Sequence, residues 1–155
     1  MKVDFLCAAC ESTLTLASAA LSPSYYYDSL PYCIIDAVFS IGVKYTSTQN
    51  VVKNYCTYYG LREYNTEQDG YGDNHTISQM IEHIESIGVE KSADIIFKNH
   101  QRTSTRNGIL KAEAALRFAQ ILKKYGIETL NDITTKGLAA AAEQEILQIP
   151  GQRSG

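Results

Sequence analysis

Apolar residues recur along this chain at intervals of three and four positions, and a regular alternation of apolar and polar residues is hard to find. The first clear stripe lies within residues 30–41 and consists of Leu30, Ile34, Val38 and Ile41. Pro31 stands in its first turn, where a missing backbone N–H costs nothing, and Gly42 follows its last residue. Because this spacing corresponds to one face of an α-helix, the pattern predicts an all-α protein.

Further helices are predicted wherever the same spacing returns. They cover residues 47–59, residues 76–87, a short element at 92–99, residues 107–125, a turn near Leu130 and Ile133, and residues 138–149. The strongest pattern is that of 107–125, whose predicted buried face consists of Leu110, Ala114, Phe118, Ile121, Leu122 and Tyr125. Residues 62–75 have almost no aliphatic side chains and are predicted to form a loop, and a polar stretch at 100–107 interrupts the helical pattern.

The composition is that of one globular domain. The chain has 155 residues, 45% of them hydrophobic and 20% charged, so it can bury a core without a metal or a disulfide. Polar residues interrupt the first twenty positions before a signal peptide could form, and no apolar run approaches the ~20 residues that cross a bilayer. We therefore expect a soluble cytoplasmic protein with no membrane partner. Its net charge of -3 means that any contact with nucleic acid must depend on a local basic patch.

Residue types with catalytic or metal-binding chemistry are scattered along the chain. Cys7 and Cys10 have the spacing of a redox pair or of half a zinc site, but no second pair and no histidine follows at ligand spacing. We therefore predict reduced thiols, no structural metal and no cofactor. The histidines show neither triad nor ligand spacing, and they are His75, His83 and His100. Asp36 stands among apolar residues, so its carboxylate must either face outward or have a partner.

The end of the chain carries a helix-to-turn motif. Residues 145–149 are amphipathic, and Pro150 and Gly151 follow them directly. Proline stops a helix, and glycine permits a tight bend because it has no Cβ. A turn of this kind can expose successive backbone N–H groups, which bind phosphate when they begin a following helix.

The order of these segments resembles the helix-hairpin-helix (HhH-GPD) DNA glycosylase superfamily, which includes endonuclease III and the adenine glycosylases. The likeness extends over about residues 28–155 and rests on four segments, 30–40, 46–52, 108–115 and 147–151. It implies a multi-helix orthogonal bundle whose hairpin motif begins at about residue 145. We expect a single helical domain over residues 1–155 that is incomplete at its C-terminal end.

The chain departs from the family's pattern at its functional positions. Arg153 stands where the family usually has the second hairpin glycine, and Gly155 is nearest to the Schiff-base lysine of the bifunctional enzymes. The family's catalytic aspartate lies about twenty residues beyond the hairpin, and the cysteines that hold an iron–sulfur cluster in some members also lie beyond it. We therefore expect no catalytic residue of the family within this chain.

The resemblance implies a DNA-binding protein related to base-excision repair glycosylases, which hydrolyse the N-glycosidic bond of a flipped base. The DNA contacts that it implies are Lys44, Arg106, Lys111, Pro150, Gly151, Gln152, Arg153, Ser154 and Gly155. For this chain we predict weak duplex binding, with a Kd in the non-specific range of roughly 10⁻⁴ to 10⁻⁶ M, and no base excision. The alternatives are a non-catalytic DNA-binding or scaffold protein on the same fold, and a helical protein-interaction module, which the negative net charge favours.

Overall fold

The computed structural model describes residues 2–13, 22, 25–65 and 75–151. Its helices are α1 (Lys2–Thr13), α2 (Leu30–Phe39), α3 (Tyr45–Tyr59), α4 (Ile77–Ile87), α5 (Val89–Lys91), α6 (Lys111–Lys124), α7 (Leu130–Lys136) and α8 (Ala140–Ile146). A π-helix, Ser92–Ile96, continues directly from α5. The described residues contain two isolated antiparallel bridges and no strand, which confirms the prediction of an all-α protein.

The core lies where α2, α3, α4 and α6 pack together. Helix α6 contacts α2 and α4, and α2 also packs against α3. The largest fully buried apolar side chains are Tyr32, Tyr55, Phe39, Phe97, Ile35, Ile77, Met80, Ile84, Ile96, Leu122 and Ile127. Leu30, Ile34 and Val38 of the predicted stripe are buried as well, which confirms the predicted core-facing side of α2.

Helix boundaries follow local chemistry. Pro31 occupies the first turn of α2, as predicted. Helix α3 begins at Tyr45, two positions before the predicted start, and ends at Gly60, which adopts the left-handed conformation. The Thr76 hydroxyl oxygen accepts a hydrogen bond from the backbone N–H of Gln79, and the backbone N–H of Thr76 donates to Oε1 of Gln79, so a capping box begins α4.

The helix predicted over residues 107–125 starts later in the structure than its sequence pattern indicates. Helix α6 begins at Lys111 rather than at residue 107, because the preceding residues pair across a loop. The most buried positions of α6 are Ala112, Ala114, Ala115, Ala119 and Leu122. Phe118, Ile121 and Tyr125 are only half-buried, so the buried face is centred on alanines instead. The small side chains of α6 allow α2 and α4 to approach it closely, whereas a prediction from periodicity alone favours large apolar side chains at the buried positions.

A buried ion pair joins the segments before α2 and after α3. The carboxylate of Asp28 is inaccessible to solvent and accepts hydrogen bonds from Nε and Nη2 of Arg62, both at 3.0 Å. The backbone N–H of Asp28 also donates to the carbonyl of Glu63. Residues 61–65 are not helical, in agreement with the predicted loop, and residues 66–74 lie outside the described part of the chain.

Candidate nucleic-acid interface

Residues 101–110 form a compact loop, here called the 101–110 loop, that closes on itself. The backbone N–H of Thr103 donates to the carbonyl of Ile109 at 2.9 Å, and that of Lys111 donates to the carbonyl of Gln101 at 2.9 Å. Nε of Arg102 donates to the Gly108 carbonyl at 2.8 Å. These bonds fix the loop ends, so its polar side chains are held in defined positions beside the start of α6.

The tip of the loop has a tightly constrained backbone. Asn107 has a φ of +56°, in the left-handed region. A Cβ on Gly108 would collide with the backbone of Ser104, so only glycine fits at this position. The hydroxyl of Ser104 donates to the carbonyl of Arg106 at 2.6 Å and closes the tip. The loop is therefore preorganised by its own hydrogen bonds.

A groove of about 590 Å³ separates the 101–110 loop from the turn after α2. We call it the cationic groove, and its lining residues are Ile41, Gly42, Val43, Gln101, Arg102, Thr103, Ser104, Thr105 and Lys111. This lining contains three hydroxyls, an amide and two basic residues, and it contains no carboxylate. Of the two basic residues, Arg102 is exposed and Lys111 is buried. By contrast, Glu145 lines a groove beside α8, and Glu82 and Glu85 line one beside α4.

Lys111 lies beneath the groove with its ammonium turned into the protein. The residue is 1% exposed, and Nζ donates to the carbonyls of Phe39 (3.0 Å) and Ile41 (2.8 Å) and to Oε1 of Gln101 (3.2 Å). Burial lowers the pKa of Lys111, because it disfavours the charged form. The predicted phosphate contact requires an ammonium at the surface, and the structure places this one in the interior instead.

The other predicted basic residues flank the groove. Lys44 is exposed, directly follows the lining residue Val43 and occupies the position before the first residue of α3. Arg106 is exposed at the tip of the 101–110 loop and follows the lining residue Thr105. Lys44 thus adjoins one wall of the groove in the sequence and Arg106 adjoins the other, and we call these two positions its basic edges.

The predicted bend at Pro150 and Gly151 packs against the same loop. Gly151 has a φ of +94°, and a Cβ there would lie 2.5 Å from Cβ of Thr103 and 2.8 Å from its carbonyl oxygen. Ile149 is buried in the core, which anchors the bend. The remaining predicted contacts, Gln152, Arg153, Ser154 and Gly155, lie outside the described residues.

Sequence reasoning missed Arg102, Gln101 and the hydroxyls at 103–105. Apart from Arg106, the polar stretch at 100–107 is predicted only to interrupt the helical pattern. Its composition carried a signal, because it has two arginines, a histidine and three hydroxyl residues without any carboxylate. Charge pattern within that stretch, rather than helical periodicity, was the feature that pointed to the groove.

A second polar cluster lies inside the helical core. The hydroxyl of Tyr55 is 2.6 Å from Nε2 of His75 and 3.3 Å from Nδ1 of His83. The hydroxyl has one proton, so it donates to one imidazole and accepts from the other. Burial lowers the pKa of His75 to about 4, and the charge of His83 makes a smaller contribution in the same direction. Tyr59 stacks on His83 with ring centroids 3.7 Å apart. The cluster is a connected hydrogen-bond network that sequence spacing did not reveal.

The remaining candidate residues either have hydrogen-bond partners or are largely buried. Asp36 is half-buried, and its Oδ2 accepts a hydrogen bond from the Tyr27 hydroxyl at 2.6 Å and from the Tyr45 hydroxyl at 3.4 Å. Burial raises the pKa of Cys33 to about 11 and that of Cys56 to about 12. Both thiols are therefore uncharged at neutral pH and poor nucleophiles.

The described residues contain no cluster of metal ligands and no membrane-spanning helix. Nowhere among them do three or more His, Cys, Asp or Glu side chains gather so that they could hold a metal ion. None of the helices in this part of the chain combines the length and the apolar character needed to cross a membrane.

Comparison with known proteins gives a family without an assigned activity. No curated protein and no solved structure matches the chain. The sequence profile of one family, described as a domain of unknown function (DUF8548), matches residues 4–155. Because this match covers nearly the whole sequence, the chain belongs to the DUF8548 family.

Proposed function

We propose that this protein binds DNA through the sugar–phosphate backbone at the cationic groove, as a relative of the base-excision glycosylases. The observation that supports this best is the composition of the groove. Its lining has basic and hydroxyl side chains and no carboxylate, in a chain whose net charge is -3. Arg102 is the exposed basic side chain of this lining, and no carboxylate of the lining opposes its charge.

The chemistry of the lining suits phosphate oxygens. Guanidinium and ammonium groups contact phosphates electrostatically, and hydroxyls and amides add hydrogen bonds that fix the register of the backbone. Arg102 supplies one guanidinium at the groove wall, while Lys44 and Arg106 stand at its edges. So few basic contacts give weak and salt-sensitive binding, with a Kd of roughly 10⁻⁴ to 10⁻⁶ M at physiological salt.

Base excision is proposed only for a protein that carries the superfamily's aspartate. Glycosidic bond cleavage needs a carboxylate near the developing positive charge of the sugar, and none lines the cationic groove. For this chain we propose binding without base release. Release of a base from uracil-, alkyl- or oxopurine-containing duplexes by the 155-residue chain would contradict that part of the proposal.

The binding proposal is tested by fluorescence anisotropy with a labelled duplex over a range of salt concentrations. The variant Lys44→Ala/Arg106→Ala removes the two edge charges without disturbing the Arg102 bond to the loop backbone. The matched control, Arg117→Ala/Lys123→Ala, removes the same charge from exposed positions outside the groove.

We expect the groove variant to lower the slope of log affinity against log salt by about two, since each lost phosphate contact contributes about 0.9. The control should keep the wild-type slope. Equal effects of both variants would show that net charge, rather than the groove, causes binding. Absence of binding even at low salt would reject the proposal and favour the protein-interaction alternative.

A further inference from the structure

Lys111 joins two segments that are far apart in the sequence. It is the first residue of α6, and its three hydrogen-bond acceptors belong to the end of α2 and to the start of the 101–110 loop. Phe39 is separated from Lys111 by 72 positions. These two segments are also the two walls of the cationic groove. The ammonium therefore lies at the point where the walls meet.

The acceptors match the chemistry of an ammonium. The last carbonyls of a helix have no partner within the helix and carry the negative end of its dipole, and Phe39 is the last residue of α2. The carbonyl of Ile41 belongs to the turn that follows the helix. An ammonium has three donors, and the Gln101 side chain accepts the third. Burial of a lysine is unfavourable unless its charge is solvated in this way, and here each donor has an oxygen partner.

We propose that Lys111 is a positioning residue of the cationic groove, which holds the end of α2 against the 101–110 loop and so sets the separation of the two basic edges. One edge is at Lys44, and the other is at Arg102 and Arg106. Because phosphates along a DNA strand have a fixed spacing, displaced basic groups lose affinity even though none is removed. This inference rests on the proposed function, and it assigns Lys111 a role that needs no contact with phosphate.

The test compares Lys111→Met with Lys123→Met. Methionine retains the length and apolar stem of the side chain but removes the three donors. Lys123 is an exposed lysine on the same helix, so its variant controls for the loss of one charge. The measurements are duplex affinity over a salt range, and backbone hydrogen exchange of residues 40–44 and 101–110.

For Lys111→Met we expect about tenfold weaker duplex binding, a salt slope within half a unit of wild type, and faster exchange in both walls. Helices α3 and α4 should keep their protection. Lys123→Met should leave exchange unchanged. A slope lowered by about one with unchanged exchange would mean that Lys111 contacts a phosphate directly, and it would overturn the inference.

A second variant keeps the test decisive when Lys111→Met fails to fold. Gln101→Ala removes one acceptor and leaves the two backbone carbonyls, so we expect the same changes at smaller amplitude. Unchanged exchange in every folded variant would overturn the inference whether or not DNA binds. If the variants exchange faster but the wild-type protein binds no DNA, the proposed function is rejected. The inference that Lys111 holds the two walls together would then stand.

Discussion

Acid should destabilise this protein through one buried histidine. His75 is 1% exposed, and its Nε2 lies 2.6 Å from the Tyr55 hydroxyl. His83 stacks on it with ring centroids 5.0 Å apart, and Tyr32 stacks on it at 6.2 Å. Nothing in this set is a carboxylate that would stabilise an imidazolium, so protonation places a positive charge among aromatic rings and a second imidazole.

The sign and size of the effect follow from the pKa difference. In the folded chain the pKa of His75 is lowered to about 4, whereas an unfolded histidine has a pKa near 6.5. Above pH 6.5 both states are neutral and the full stability is present. Between these two values the unfolded state binds a proton that the folded state does not, so stability falls as the pH decreases. The total loss is about 3 kcal/mol, and most of it is reached by pH 4.5.

The assay is urea unfolding followed by far-ultraviolet circular dichroism between pH 7.5 and pH 4.5, roughly the range over which the two states differ in bound protons. The test variant is His75→Gln, whose side-chain oxygen accepts the Tyr55 hydrogen bond but does not titrate. The control is His100→Gln, because His100 is exposed. We expect His75→Gln to lose about 2.5 kcal/mol less than wild type over this range, and the control to follow wild type.

One result would refute this reasoning. If His75→Gln lost as much stability on acidification as wild type, the loss would come from other groups. A nuclear magnetic resonance titration of the imidazole gives an independent check, since a midpoint near 6.5 for His75 in the folded chain would contradict the lowered pKa.

Three further predictions concern stability and reactivity. Gly151→Ala should destabilise the protein by about 2 kcal/mol in urea unfolding, because its φ is +94° and a Cβ would contact Thr103; a change below 0.5 kcal/mol would contradict the packing of this bend. Asp28→Ala should cost about 2 kcal/mol by the same measurement, since it removes the charge-assisted hydrogen bonds to Arg62, whose own side chain is 39% exposed and can be solvated by water. Cys56 should react with a thiol reagent only on unfolding, because burial raises its pKa to about 12; reaction in the native state would disprove this.

The sequence alone predicted most of the helical segments, with α1 and α5 as the exceptions. The stripe from Leu30 to Val38 lies on the buried side of α2, and α3 ends at Tyr59, the predicted limit. A capping box at Thr76 begins α4 within the predicted limits. These features depend on neighbours three or four positions away, so periodicity and capping rules are sufficient to find them.

Only the tertiary structure decided where α6 begins and what Lys111 does. The 101–110 loop closes through hydrogen bonds that end at Lys111, and these shorten the helix that the apolar spacing extended to residue 107. The Lys111 side chain points inward because the end of α2, 72 positions earlier, supplies carbonyl acceptors. In the same way Tyr55 meets His75 across 20 positions and His83 across 28. The spacing of apolar residues identifies the buried face of a single helix. The hydrogen-bond partner of a buried polar group depends on how distant segments pack, so no spacing rule along the chain can identify it.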